Sequence, residues 1–236
     1  MNVAIIGSNG FLGSELTHAA KKVSTCKIYS VTRSSFIDFV NEKSLEIDIV
    51  INSAMPSARF WAENNPALDF KETVKKTRDL LDLFPNSKII QISSISAKTQ
   101  LHKVYGRHKK AAECLLDRES NLIFRLGPLY GRNLKKGVII DLIKNNDVFI
   151  SEDSKYAFTN ISWVAKKILE NLDLTGLIEF GANGFVEIKD LSEVLSSSSN
   201  CVGAKDDQVF DDYFQDTPSA NDVIDFSLQL KKRYLV

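Results

Sequence analysis

Short, wholly apolar runs alternate with longer amphipathic ones along the first half of the chain. Val3-Ala4-Ile5-Ile6 is too short for a buried helix and rich in β-branched residues, so it predicts a strand, which Gly7 breaks. Leu12, Leu16, Ala19 and Ala20 then recur at the spacing of one helical face. The runs at 27–32 (KIYSVT), 48–52 (DIVIN), 88–92 (KIIQI) and 122–125 (LIFR) predict further strands. Between them, 36–45 predicts a weak helix. A stripe of Phe70, Val74, Thr77, Leu81 and Phe84 predicts a strong one over 69–84, and 104–118 a third.

Strands that are apolar throughout, rather than alternating, are buried on both faces. The pattern therefore predicts an α/β protein with a Rossmann-type, doubly wound parallel sheet covered by helices. In such sheets ligands bind at the carboxyl ends of the strands, near the switch in strand order. From about Lys135 the pattern changes: helices at 136–143, 164–172 and 187–195, a strand at 177–180, then an acidic tail. Asp206, Asp207, Asp211, Asp212, Asp216, Asp222 and Asp225 read as a polar surface segment ending in a helix at 220–233. We expect a core over 1–134. The rest, 135–236, would supply further core elements at about 156–186 and a small C-terminal substrate-facing region.

Composition narrows the function. Thirty basic and 30 acidic residues cancel, which leaves no excess for a nucleic-acid clamp or a polybasic membrane anchor. No apolar run approaches the ~20 residues of a membrane helix, and MNVAIIGSNG does not read as a signal peptide. Cys26, Cys114 and Cys201 are odd in number and widely spaced, which argues against a disulfide framework or zinc site and for a cytoplasmic protein. His18, His102 and His108 are too scattered for a metal site.

The segment Gly7-Ser8-Asn9-Gly10-Phe11-Leu12-Gly13 follows the first strand and opens the first helix. In this setting Gly7 permits the tight turn, Gly10 lets backbone approach a pyrophosphate, and Gly13 lets helix and strand pack closely. The helix N-terminus offers free N–H groups to phosphate. Asn9, Phe11 and Leu12 complete this candidate dinucleotide loop. A carboxylate at the end of the second strand would select NAD. The chain has Val31-Thr32-Arg33-Ser34-Ser35 there, and the Arg33 guanidinium with the Ser34 hydroxyl suits a 2′-phosphate. NADP is therefore expected in preference to NAD, although Arg33 could equally be a solvated loop residue.

Ser93-Ser94 follow the fourth strand, and Tyr105 and Lys109 stand four apart on one helix, so they share a face. A phenol of ordinary pKa near ~10 is a poor acid–base at neutral pH. A nearby ammonium lowers that value. Ser94 can hold a substrate oxygen while Tyr105 gives or takes the proton.

With these residues in order, the chain resembles the short-chain dehydrogenase/reductase superfamily, of the extended type that acts on nucleotide sugars (the epimerase/dehydratase family). The carriers are Gly7, Gly10, Gly13, Asp48-Ile49-Val50-Ile51-Asn52-Ser53-Ala54, Ser93-Ser94, Tyr105 with Lys109, and Arg125-Leu126-Gly127-Pro128-Leu129-Tyr130-Gly131. They cover about the first 130 residues. The resemblance implies an NAD(P)-dependent oxidoreductase or epimerase working on a carbonyl or hydroxyl of a nucleotide-linked sugar. It implies that Tyr105 is the acid–base, that Lys109 lowers its pKa and holds the nicotinamide ribose, and that Ala54, Met55, Ser93, Gly127 and Leu129 touch the cofactor. It also implies dimerisation through the helices at 69–84 and 104–118.

Some residues depart from the family's pattern. Thr73 stands where an Asn is common, and Trp163 where an aspartate is usual before a later helix. Ile95-Ser96 after Ser94 argues against a dehydratase. Arg59, Phe60 and Trp61 could line a substrate pocket or simply pack. His108, one residue before Lys109, is expected to point elsewhere. The rival readings are a catalytically silent dinucleotide-binding protein, redox-sensing or scaffold in role, and a hydrolase using Ser94. The second lacks a G-x-S-x-G elbow.

Overall fold

The computed structural model describes residues 1–22, 26–212 and 216–234. In chain order its elements begin β1 (Asn2–Ile6), α1 (Phe11–Ala20), β2 (Lys27–Val31), α2 (Phe36–Lys43) and β3 (Ile49–Asn52). Next come α3 (Arg59–Asn64) and α4 (Pro66–Phe70), a π turn (Lys71–Lys75) and α5 (Lys76–Leu83). Then follow β4 (Lys88–Ser94), α6 (Ser96–Thr99), α7 (Val104–Cys114) and β5 (Leu122–Leu126). The rest is β6 (Leu129–Tyr130), α8 (Val138–Lys144), β7 (Lys155–Tyr156), β8 (Thr159–Asn160), α9 (Ile161–Glu170), β9 (Gly176–Phe180), β10 (Val186–Glu187), α10 (Ile188–Val194) and α11 (Asp222–Tyr234).

Six strands form one sheet in the order β2-β1-β3-β4-β5-β9. The four registers from β2 to β5 are parallel. The expected doubly wound α/β fold is therefore present. Ala4, Ile6, Val50, Ile89 and Ile123 pack on one face against Leu80 and Phe84 of the α5 segment. Their neighbours Val3, Ile5, Ile51, Ile90, Leu122 and Phe124 point the other way and are also fully buried. That is why these strands lack alternation.

The common dinucleotide-binding order, 3-2-1-4-5-6, has a strand outside the second one. Here β2 is the edge, with Lys27 and Ser30 exposed. From this edge strand α2 leads directly back to β3. The crossover from β2 to β3 passes β1, so the switch point lies between the carboxyl ends of β1 and β3.

The chain divides into two units, Met1–Leu126 with Val164–Glu179, and Gly127–Trp163 with Phe180–Val236. The boundary falls at 126/127 rather than 134/135, and the returning core segment is shorter than the expected 156–186. Residues 235–236 of the expected second region lie outside the described residues. The second unit has its own core, including Ile139, Leu142, Phe158, Ile188, Leu191 and Val223. The tail is not the simple polar surface expected of it. Phe210 and Gln208 are buried, Asp206 accepts a 2.6 Å hydrogen bond from the Tyr156 hydroxyl, and Asp207 accepts from the Lys155 N–H at 2.9 Å. Helix α9 begins at Ile161 rather than 164, because the Asn160 side chain caps it by accepting from the Ser162 N–H at 2.9 Å. Among the described residues no helix is long and apolar enough to cross a membrane.

Candidate active site

The glycine loop is built by close backbone approach. Gly7 has φ +84°, a left-handed conformation, and a Cβ there would lie 2.8 Å from the Ala54 Cα. A Cβ on Gly13 would lie 2.1 Å from the Gly7 carbonyl oxygen and 2.9 Å from Ser53 Oγ. Gly13 is therefore the contact of α1 with the strand ends. Gly10 is exposed, and its Cβ would meet only the Gly7 oxygen, at 3.1 Å. The loop thus leaves an open approach at Gly10, where α1 begins without a side-chain cap.

A cavity of about 670 Å³ opens at this switch point. Gly7, Asn9, Gly10, Arg33, Ala54 and Met55 line it, together with Lys71, Glu72, Lys75, Lys76 and Asp79 on the opposite wall. Phe11 and Leu12 are not among its lining residues; Leu12 is buried in the core. Ser34 is exposed beside it and shares a 3.0 Å hydroxyl contact with Thr32. The volume suits a small-molecule or cofactor site. The free turn at Gly10 and the cationic wall fit the phosphates and ribose of a nicotinamide dinucleotide.

The wall holds a feature the sequence did not reveal. The Arg33 side chain, 92% exposed, reaches Glu72 at 3.7 Å. Glu72 also pairs with Lys76, whose ammonium donates to the Ala54 carbonyl at 3.3 Å. The Lys76 hydrogen bond holds the Glu72 carboxyl below its ordinary range. A carboxylate therefore does face Arg33, delivered by the helix at 71–83 rather than by the end of β2.

Ser94 ends β4, beside β3, and α7 brings Tyr105 and Lys109 to it. The α7 N-terminus is fixed by two neighbours. Glu63 of α3 accepts the Val104 N–H at 2.7 Å. A Cβ on Gly106 would lie 2.2 Å from the Gln100 oxygen and 2.6 Å from that of Ser96, so only glycine lets α7 lie so close to α6. Tyr105 and Lys109 are both buried. Ser94 stands near enough to act on the Tyr105 phenol, and Lys109 Nζ stands 5.2 Å from the centre of the Tyr105 ring.

The electrostatics differ from the expectation. Burial pushes the Tyr105 phenol up to about 12, with the Ser94 hydrogen bond and the Arg59 charge pulling it back. Burial pulls the Lys109 ammonium down to about 7, while Asp69 and Glu113 hold it up. Lys109 lies against the ring face, and the groups that lower Tyr105 are Ser94 and Arg59.

Two further placements differ. The Ser93 hydroxyl turns inward and donates to Glu113 at 2.6 Å, and Glu113 is held by Arg125 at 2.9 and 2.6 Å. Ser93 therefore spends its side chain on the buried pair rather than on a ligand. His108 does not point away from the site's charges. Its Nδ1 lies 2.7 Å from Oδ2 of Asp69, whose charge acts on both Lys109 and Tyr105. In the second unit, Gly127 faces the Phe210 ring, which a Cβ would meet at 2.8 Å. Leu129 lies in β6, half-buried. Trp163 lies inside α9, its ring 5.8 Å from that of Phe180 and nearly perpendicular to it.

No family model matches this chain, and no curated protein matches it in sequence. Solved structures do match in fold. One is a UDP-glucuronic acid 4-epimerase from Bacillus cereus in complex with UDP-glucuronic acid and NAD, with 18% identity, TM-score 0.83, and coverage of 99% of this chain and 100% of that one. Another is a dTDP-4-dehydrorhamnose reductase from Clostridium acetobutylicum, with 18% identity, TM-score 0.77, and coverage of 98% and 100%. A third, the dTDP-4-dehydrorhamnose reductase of Bacillus anthracis in complex with NADP, has 18% identity, TM-score 0.73, and coverage of 97% and 99%. The chain therefore has the fold of the extended short-chain dehydrogenases/reductases.

Proposed function

We propose that the chain is an NAD(P)-dependent reductase or epimerase that interconverts a carbonyl and a hydroxyl on a nucleotide-linked sugar. The observation that carries this reading is the buried Tyr105, with Lys109 over its ring and Ser94 near enough to act on its phenol, one strand away from the glycine-loop cavity. The fold likeness to reductases and an epimerase of nucleotide sugars supports it. A nicotinamide dinucleotide, when bound, supplies or accepts the hydride. The protein's part is the proton and the orientation. Ser94 holds the substrate oxygen, and Tyr105 gives it a proton or removes one. A phenol pushed up to about 12 is protonated at neutral pH, which equips Tyr105 first as the acid that a carbonyl reduction needs. Lys109, Gly7, Asn9, Gly10, Ala54 and Met55 would hold the dinucleotide, with Arg33 and Ser34 at its 2′-phosphate.

The test is turnover of NADPH against a panel of UDP- and dTDP-linked keto sugars. Loss of NADPH absorbance with one sugar supports a reductase. Sugar epimerisation with no net cofactor change supports an epimerase. Neither outcome across the panel, from protein that binds the dinucleotide, supports the silent binding protein instead. We also propose a homodimer through the helices at 66–83 and α7, where Leu68 and Phe70 are exposed. A monomer mass by light scattering would refute it.

A further inference from the structure

Arg33 and Glu72 are far apart in the chain and line the same cavity from two sides. Arg33 follows the edge strand β2, and Glu72 lies in the π turn that leads into α5. A guanidinium nitrogen of Arg33 stands 3.7 Å from Glu72 Oε2, so the two side chains meet across the cavity. Glu72 is also held from its own helix. The Lys76 ammonium donates to the same Oε2 and, at 3.3 Å, to the Ala54 carbonyl. The carboxylate is thereby tied through Lys76 to the loop after β3. Arg33 has no such tie in its side-chain exposure of 92%, against 29% for Glu72, so Glu72 is the better fixed of the two.

The other carboxylate of the lining is placed differently. Asp79 is paired with Lys75 at 2.7 Å, one turn along the same helix. Glu72 is the carboxylate that meets Arg33. What this means for a dinucleotide follows from charge. A 2′-phosphate would have to take Arg33 from Glu72 while bringing its own negative charge toward that carboxylate, and like charges at a few ångströms oppose each other. A ribose 2′-hydroxyl brings no charge, and a carboxylate accepts its hydrogen bond, the usual means by which an acidic residue selects NAD.

We propose that Glu72 is a cofactor-specificity residue, which accepts from the ribose 2′-hydroxyl of NAD and competes with a 2′-phosphate for Arg33. Arg33 and Glu72 are then opposing selectors, and the site takes both dinucleotides. The carboxylate missing from the end of β2 is supplied across the cavity by the π turn. The inference rests on the reading of this cavity as a dinucleotide site and adds which residue tempers its choice.

The test is calorimetric titration of NADPH and NADH into wild type, Glu72→Gln, Arg33→Ala and the double variant. Gln keeps the size of the side chain and an acceptor for Lys76. The two ligands differ only at the 2′ position, so general damage to the fold or cavity weakens both alike. Glu72→Gln should tighten NADPH about tenfold and weaken NADH. In the Arg33→Ala background the gain for NADPH should shrink, because release of Arg33 is part of it. An unchanged ratio of the two affinities in Glu72→Gln overturns the proposal and leaves the dinucleotide reading standing. A gain of equal size in both backgrounds overturns the competition for Arg33. Wild-type protein that binds neither dinucleotide, and is shown to carry none already, overturns the dinucleotide reading itself and this inference with it.

Discussion

Lys109 Nζ stands over the face of the Tyr105 ring, 5.2 Å from its centre, and Ser94 acts on the phenol from the end of β4. The cation lies over the ring, and burial holds the phenol protonated at neutral pH. Tyr105→Phe keeps the ring under Lys109 and deletes only the acid. It should lower turnover by about a hundredfold to ten-thousandfold and leave the dinucleotide-induced rise in melting temperature intact. Paired turnover and melting measurements check this. A variant that turns over normally contradicts the role given to Tyr105.

Burial pulls Lys109 down to about 7 from its ordinary 10.5. Between those values the unfolded chain binds a proton at this residue that the folded chain lacks. Stability from this group therefore rises with pH across that window and is lowest below it. Lys109→Met removes the charge from the core. It should melt higher than the wild type at pH 6–7, by a few degrees, with the advantage shrinking as the pH approaches 10. Scanning calorimetry across that range is the check.

The glycine loop separates folding from binding at two positions. Gly13→Ala drives a Cβ to 2.1 Å from backbone, so it should destabilise the protein by about 1–3 kcal/mol or more. Gly10→Ala meets a single oxygen at 3.1 Å and should fold nearly normally. Its Cβ projects where the dinucleotide's phosphates would approach, so it should weaken NADPH binding at least tenfold while urea unfolding stays near wild type. Equal loss of stability in both variants would contradict the division of roles.

Glu113 is completely buried and its carboxylate is shared by Arg125 and Ser93, with Arg125 bridging on to Glu179 at 3.1 Å. Removing one partner of such a pair leaves the other buried and uncompensated. Glu113→Ala should cost about 3–5 kcal/mol in denaturant unfolding. A loss under about 1 kcal/mol, typical of a surface pair, would mean that the network is not structural.

What the sequence made legible was local. The turn at Gly7, the spacing to Gly13 and the four-residue step from Tyr105 to Lys109 are all set within one loop or one helix. Strand identity followed because β1, β3 and β5 are buried on both faces. What stayed hidden depends on pairs far apart in the chain. The Asp69–His108 contact needs α4 packed on α7. Glu72 opposes Arg33 only because the helix at 71–83 crosses the cavity. The bare face of Gly127 reads in sequence as a cofactor contact, but Phe210 from the tail lies on it. The short helices at 59–64 and 96–99 carried no periodicity long enough to detect, yet they fix the start of α7.

Dinucleotide binding at the glycine loop is read out by a thermal melt with NADPH, with NADH and without either, on wild type and Arg33→Ala. Ligand at a hundred times its dissociation constant adds about 2.7 kcal/mol of stability. NADPH should give a clear rise and NADH a smaller one, and Arg33→Ala should lose the difference. No rise with either dinucleotide, from protein shown by absorbance of its denatured supernatant to carry none already, would contradict the account.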